Sequence, residues 1–118
     1  MSGATQQSVA IVDDDLAVRD SLRFLLEVVG HSVETFDSAA AFLSAKMQNL
    51  TCLILDQHMP HMTGLELAEL LQVDGAAIRI LLITGLPSPA IFARAAELGI
   101  KVLEKPTGDE ELIDFCQF

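Results

Sequence analysis

Five side chains in this chain could together handle a phosphoryl group, and each lies just after or at the end of an apolar run. VAIV (9–12) leads into Asp13 and Asp14, CLIL (52–55) into Asp56, IRILLI (78–83) into Thr84, and IKVLE (100–104) into Lys105. Parallel strands of one sheet would bring these residues to a common edge. Three carboxylates held close repel one another, and a hard divalent cation relieves that repulsion. Mg²⁺ (or Mn²⁺) suits such a set, because it takes oxygen ligands and is commonly held by a few carboxylates plus phosphate. Asp56 is the candidate nucleophile, since a carboxylate can attack phosphorus to form an acyl phosphate. Lys105 offers a point charge and Thr84 a hydroxyl donor for the oxygens of the transferring group. The inventory is that of a Mg²⁺-dependent phosphoryl-acceptor site. A lone Thr or Lys after a strand is ordinarily a turn or solvated residue; these two gain meaning from sharing an edge with the acids.

The elements that must position these groups alternate along the chain. Residues 9–12 form a short continuous apolar run, as in a strand buried on both faces. From Leu16 to Val29 the period becomes helical, with Val18, Leu22, Leu25, Leu26 and Val29 on one face. Asp15 is the expected N-cap and Gly30 the stop. HSVETF (31–36) alternates as a strand, and Ser38 caps a helix expected to reach Met47. A strand follows over 51–55, a helix over 64–72, and then the most apolar strand, 78–83, expected to be central. Pro89 starts a helix that Gly99 ends, residues 100–104 form a last strand, and a short helix is expected over 109–118. Five β-α units require a parallel sheet with right-handed crossovers and helices on both faces, an α/β doubly wound fold in three layers. Ligands of such sheets bind outside the carboxyl ends of the strands.

The 118 residues suit one domain, with 1–7 expected as a flexible leader. Apolar residues make up 51% of the chain, ample for a core, and with no Trp or Tyr that core must be mostly aliphatic. A net charge of −10 repels nucleic acid and anionic membrane, so direct DNA binding by this segment is not expected. Cys52 and Cys116 lack metal or disulfide spacing, and Cys52 is expected to pack as a small hydrophobe. MSGATQQS has no signal-peptide pattern, and no apolar stretch approaches the ~18 residues of a membrane span, so a cytoplasmic location is expected.

Four stretches, IVDDD (11–15), LILDQHMPHMTGLEL (53–67), ITG (83–85) and EKP (104–106), stand in the order and spacing of the receiver domain of two-component response regulators, and the chain resembles that family over nearly its full length. VRDSLRFLL (18–26) and FDSAAAFL (36–43) add a resemblance to the FixJ-like group. The resemblance implies a flavodoxin-like sheet of order 2-1-3-4-5. It implies that Asp56 is phosphorylated by a sensor histidine kinase, and that the chain catalyses its own phosphoryl transfer rather than acting as a turnover enzyme. It makes Asp13 and Asp14 the acidic pair, with Asp14 a direct metal ligand and His58 contributing its backbone carbonyl. Thr84 becomes the switch hydroxyl, Lys105 the phosphate-contacting lysine, and Lys105–Pro106 a cis peptide. A homodimer through the last two helices and last strand, and control of transcription through a further domain, are implied as well.

The chain departs from the family pattern at Val102, where a Tyr or Phe often stands three residues before the lysine. His58 and Leu86 occupy the two variable positions beside the phosphoryl group, and Leu86 is expected to limit water attack on an acyl phosphate. The last helix is short for the family, so the chain is expected to be either a receiver cut from a longer regulator or a small stand-alone one; a truncation would leave Leu112, Ile113 and Phe115 less well covered. An aspartate-nucleophile phosphohydrolase of the haloacid-dehalogenase kind shares the inventory, but it generally carries a second acid two residues after the nucleophile, where this chain has His58. A phosphorylation-independent docking module sits poorly with the intact set Asp13, Asp14, Asp56, Thr84 and Lys105.

Overall fold

The computed structural model describes residues 6–73, 75 and 77–117. Five strands and five helices alternate along the chain. They are β1 (Ser8–Val12), α1 (Leu16–Val28), β2 (Ser32–Phe36), α2 (Ala39–Ala45), β3 (Cys52–Asp56), α3 (Gly64–Val73), β4 (Arg79–Thr84), α4 (Pro89–Leu98), β5 (Lys101–Glu104) and α5 (Asp109–Cys116). The sheet is parallel throughout, in the order β2-β1-β3-β4-β5.

The period-2 alternation of the strands divides the core in two. Val9, Ile11, Cys52, Ile54, Leu81 and Ile83 pack with Leu22 and Leu26 of α1 and Leu112, Phe115 and Cys116 of α5. Ala10, Val12, Leu53, Leu55, Ile80 and Leu82 pack on the other side, with Phe42 of α2, Leu67, Ala68 and Leu71 of α3 and Ala95 of α4. The result is the expected three-layer sandwich. β3, buried at all five positions, is the middle strand; β4, expected to be central, lies between β3 and β5 in the interior of the sheet, with an exposed Arg79 at its start.

The helix boundaries follow local chemistry. Asp15 caps α1 by accepting the Ala17 N–H, Ser38 caps α2 through Ala41, and Ser88 caps α4 through Ile91, with Pro89 in the first turn. Gly99 ends α4 with φ 71°, a left-handed conformation that glycine adopts without steric cost. α2 stops before the expected Met47, because Lys46 turns left-handed and donates its N–H to the Leu43 carbonyl.

Two observations concern the chain's ends. Most of the leader expected to be flexible, residues 1–5, lies outside the described residues, whereas Gln7 is buried and donates its N–H to His31 Nδ1 at 3.0 Å. At the other end Leu112 and Phe115 are buried, and of these last-helix apolar residues only Ile113 is half-exposed. Arg79 secures this end: its guanidinium donates to the Phe115 carbonyl at 2.7 Å and stacks 4.6 Å from that ring. Phe118 lies outside the described residues. Among the described residues no helix is long and apolar enough to cross a membrane.

Candidate functional site

Strand register gathers the site. Val12 pairs with Leu55, which sets the next residues, Asp13 just after β1 and Asp56 at the end of β3, side by side at the carboxyl ends of adjacent strands. Asp56 pairs with Ile83 and Thr84 with Glu104, so Thr84 and Lys105 fall at the same carboxyl edge. Oxygens of Asp13, Asp14 and Asp56 lie within 4.8 Å of one another. Asp13 and Asp56 are buried and Asp14 is exposed. These are hard oxygen donors at a spacing that fits Mg²⁺, and soft ligands are absent from the cluster.

Lys105 reaches back into the acids. Its Nζ lies 3.1 Å from Asp13 Oδ2 and 3.1 Å from Asp56 Oδ1. The other Asp13 oxygen accepts the Asp15 N–H at 2.9 Å, so both oxygens of this carboxylate are engaged. Burial, and then the Asp13 charge, push the Asp56 carboxyl above the ordinary carboxylate range, with Lys105 opposing them. Burial pulls on Lys105 in the direction of the neutral amine, but its hydrogen bonds to Asp56 and Asp13 outweigh this and hold the ammonium above its ordinary value.

Thr84 is fully buried. Its hydroxyl accepts the Leu86 N–H at 3.1 Å and lies 3.1 Å from His58 Nε2. Leu86 is 72% exposed, so its side chain stands in solvent while its backbone engages the threonine. Val102 is half-buried on β5 and pairs with Leu82. The Lys105–Pro106 peptide is cis. His61 is exposed with φ 72°, and the metal-type cluster found among the described residues is the aspartate one, without either histidine.

Three supporting residues were not singled out by the sequence. Arg19 donates to the Asp13 carbonyl at 2.6 Å, pinning the loop that carries the acid pair. Gln57 is buried, and its side-chain oxygen accepts the Leu65 N–H at 2.9 Å while its carbonyl accepts the Gly64 N–H at 3.2 Å. It thereby ties the loop after Asp56 to the start of α3. Gly64 is packed so tightly that a Cβ there would stand 2.6 Å from the Asp56 carbonyl oxygen. An arginine one turn into α1 and a glutamine beside the candidate nucleophile carry no distinctive spacing, so periodicity alone could not flag them.

Comparison with known proteins agrees with this geometry. The chain matches the response regulator receiver domain over residues 9–117. It is 38% identical over 111 residues to the transcriptional regulatory protein FixJ of Bradyrhizobium diazoefficiens, covering 92% of this chain and 54% of that protein. It is 41% identical over 107 residues to FixJ of Azorhizobium caulinodans, covering 89% of this chain and 51% of that protein. The crystal structure of FixJ-N superposes with a TM-score of 0.82 at 34% identity, covering 94% of this chain and 90% of that one. The chain therefore spans about half the length of the curated relatives it matches. With the parallel sheet of order 2-1-3-4-5, the aspartate cluster at its carboxyl edge and a match along nearly the whole chain, this protein belongs to the response regulator receiver domain family, the signalling switches of two-component systems.

Proposed function

We propose that Asp56 accepts a phosphoryl group from a sensor histidine kinase in a Mg²⁺-dependent reaction, and that the acyl phosphate so formed switches an output surface of the domain. The observation that carries this reading is the Lys105 ammonium held 3.1 Å from both Asp13 and Asp56 within the three-carboxylate cluster. The carboxylates of Asp13, Asp14 and Asp56, with the His58 backbone carbonyl, would hold the cation. Mg²⁺ (or Mn²⁺) bound there would neutralise charge on the equatorial oxygens of the transferring group.

Within that frame an Asp56 carboxylate oxygen attacks phosphorus as the bond to the donor's leaving group breaks. Lys105 is placed to follow the phosphoryl oxygens as Asp56 gives up its charge. Thr84 supplies a hydroxyl from the adjoining strand end. Leu86, with its exposed side chain beside the site, limits water attack on the product, and Val102 leaves the switch without a swinging ring. The chain catalyses its own phosphorylation and dephosphorylation and does not turn over a separate substrate. The FixJ relatives are transcriptional regulatory proteins about twice as long as the matched segment, which supports control of transcription through a further domain. A net charge of −10 makes direct nucleic-acid or membrane contact by this segment unfavourable. A homodimer through α4, β5 and α5 and a cytoplasmic setting complete the reading.

Incubation with labelled acetyl phosphate and Mg²⁺ tests it. The wild-type chain should take up label that is lost in Asp56→Ala. An equal labelled fraction in the variant would remove Asp56 from the mechanism.

A further inference from the structure

The Thr84 hydroxyl is already committed before any phosphoryl group arrives. A hydroxyl has one hydrogen to give and two lone pairs to offer. The Leu86 N–H takes one lone pair at 3.1 Å, and His58 Nε2 stands 3.1 Å away on another side. If Nε2 carried a proton, both neighbours would donate to the oxygen. The hydroxyl hydrogen would then have no acceptor in a side chain that is 0% exposed. Buried polar groups are rarely left in that state. With Nε2 unprotonated, the Thr84 O–H donates to it and every group is satisfied. The proton then sits on Nδ1 of a residue that is exposed.

We propose that the His58 imidazole is a latch on the switch threonine. It is a positioning residue that accepts a hydrogen bond from the Thr84 hydroxyl in the resting domain, and that bond must break before the hydroxyl can serve a phosphoryl oxygen. This rests on the phospho-acceptor reading above and adds to it a side-chain role for a residue otherwise expected to contribute its backbone carbonyl. The latch opposes switching by about one neutral hydrogen bond.

The test uses Mg²⁺ and beryllofluoride, a non-covalent phosphoryl mimic, with binding followed by amide NMR in the wild type, His58→Ala, Thr84→Val and the double variant. Removing the latch should tighten beryllofluoride binding about five-fold in the Thr84 background, the size of one neutral hydrogen bond. It should leave binding unchanged in the Thr84→Val background, where no hydroxyl remains to be held. An equal effect in both backgrounds, or none in either, overturns the latch. A wild-type chain that binds no beryllofluoride overturns the phospho-acceptor reading itself. An independent measurement needs no variant: imidazole ¹⁵N shifts of the resting wild-type protein in mildly alkaline buffer should show His58 as the Nδ1–H tautomer. Finding the Nε2–H tautomer would sink the proposal.

Discussion

Lys105 Nζ lies 3.1 Å from Asp56 Oδ1, and the same ammonium lies 3.1 Å from Asp13 Oδ2. One cation thus sits against two buried carboxylates, with a third acid, Asp14, close by. In the resting site this ammonium supplies part of the positive charge that a metal ion would supply, and the two cations repel each other. Lys105→Met should therefore bind Mg²⁺ more tightly, by about ten-fold in ~0.1 M salt, because the competing charge is gone. Labelling from acetyl phosphate should slow by roughly 10²–10³, since a charge aimed at the transferring group is lost. Mg²⁺ titration by NMR and the labelling rate are read on the same variant. A Mg²⁺ affinity that is unchanged or weaker would show that Lys105 does not compete with the metal.

The Asp56 carboxyl is held above its ordinary value of 3.8, first by burial and then by the Asp13 charge. A carboxyl raised in the folded state favours folding below 3.8 and loses that contribution as the pH rises through its folded value. At neutral pH its charge therefore works against the fold. Asp56→Asn removes the charge while leaving Lys105 its partner Asp13. The variant should be more stable than the wild type at pH ~7 by about 1 kcal/mol, the usual scale of such a trade between function and stability. The gain should shrink as the pH falls towards 3.8. Urea unfolding across this range decides it, and a variant less stable than the wild type at neutral pH would contradict the assignment of strain to Asp56.

His31 lies far from this chemistry and carries the opposite sign. Its ring is buried, Nδ1 accepts the Gln7 N–H at 3.0 Å, and Nε2 is buried without a hydrogen-bond partner among the described residues. Burial lowers its pKa from the ordinary 6.5. The folded chain therefore prefers the neutral ring. Its contribution is complete above pH 6.5, is lost as the pH falls through that value, and levels off below the folded pKa. Urea midpoints measured between about pH 8 and pH 5 should fall in the wild type and fall less in His31→Leu. The leucine variant should also be about 1–3 kcal/mol less stable at high pH, because the buried Gln7 N–H loses its acceptor. Parallel pH profiles for the two proteins would rule out His31 as the titrating group.

The reach of the sequence differs from residue to residue. Asp13, Asp56, Thr84 and Lys105 were legible because each closes a strand-length apolar run, and parallel strands have one carboxyl edge. The interior places of β3 and β4 were legible for the same reason, because a strand covered on both faces and paired on both edges reads as a continuous apolar run. The contacts of Lys105 with two acids, the His58–Thr84 pair and the Arg19 contact to the Asp13 carbonyl depend on rotamers and loop paths that residue spacing does not encode. His31 shows the same limit. Its position opening an alternating strand is readable, whereas a partner 24 residues away in the chain is not.

Gly64 is the position where sequence and packing say the most different things. As the first residue of α3 it reads as a poor helix former near a helix start, where many small residues would serve. In the fold, a Cβ on it would stand 2.6 Å from the Asp56 carbonyl oxygen and 2.6 Å from Leu82 Cδ1. The leucine end can move, but the carbonyl belongs to the strand end that carries the proposed phosphoryl-acceptor carboxylate. Gly64→Ala must therefore push α3 away from β3 or displace the Asp56 backbone. It should cost about 1–3 kcal/mol of stability despite the better helix propensity of alanine. Because the displaced atoms belong to Asp56, labelling from acetyl phosphate should slow at temperatures where the variant is fully folded. Gly85→Ala is the matched comparison: a Cβ there meets nothing within 4 Å, so its stability should stay within about 0.5 kcal/mol of the wild type. Urea unfolding of the two variants separates the cases, and a Gly64→Ala protein as stable as the wild type would show that the Asp56 loop is not pressed against α3.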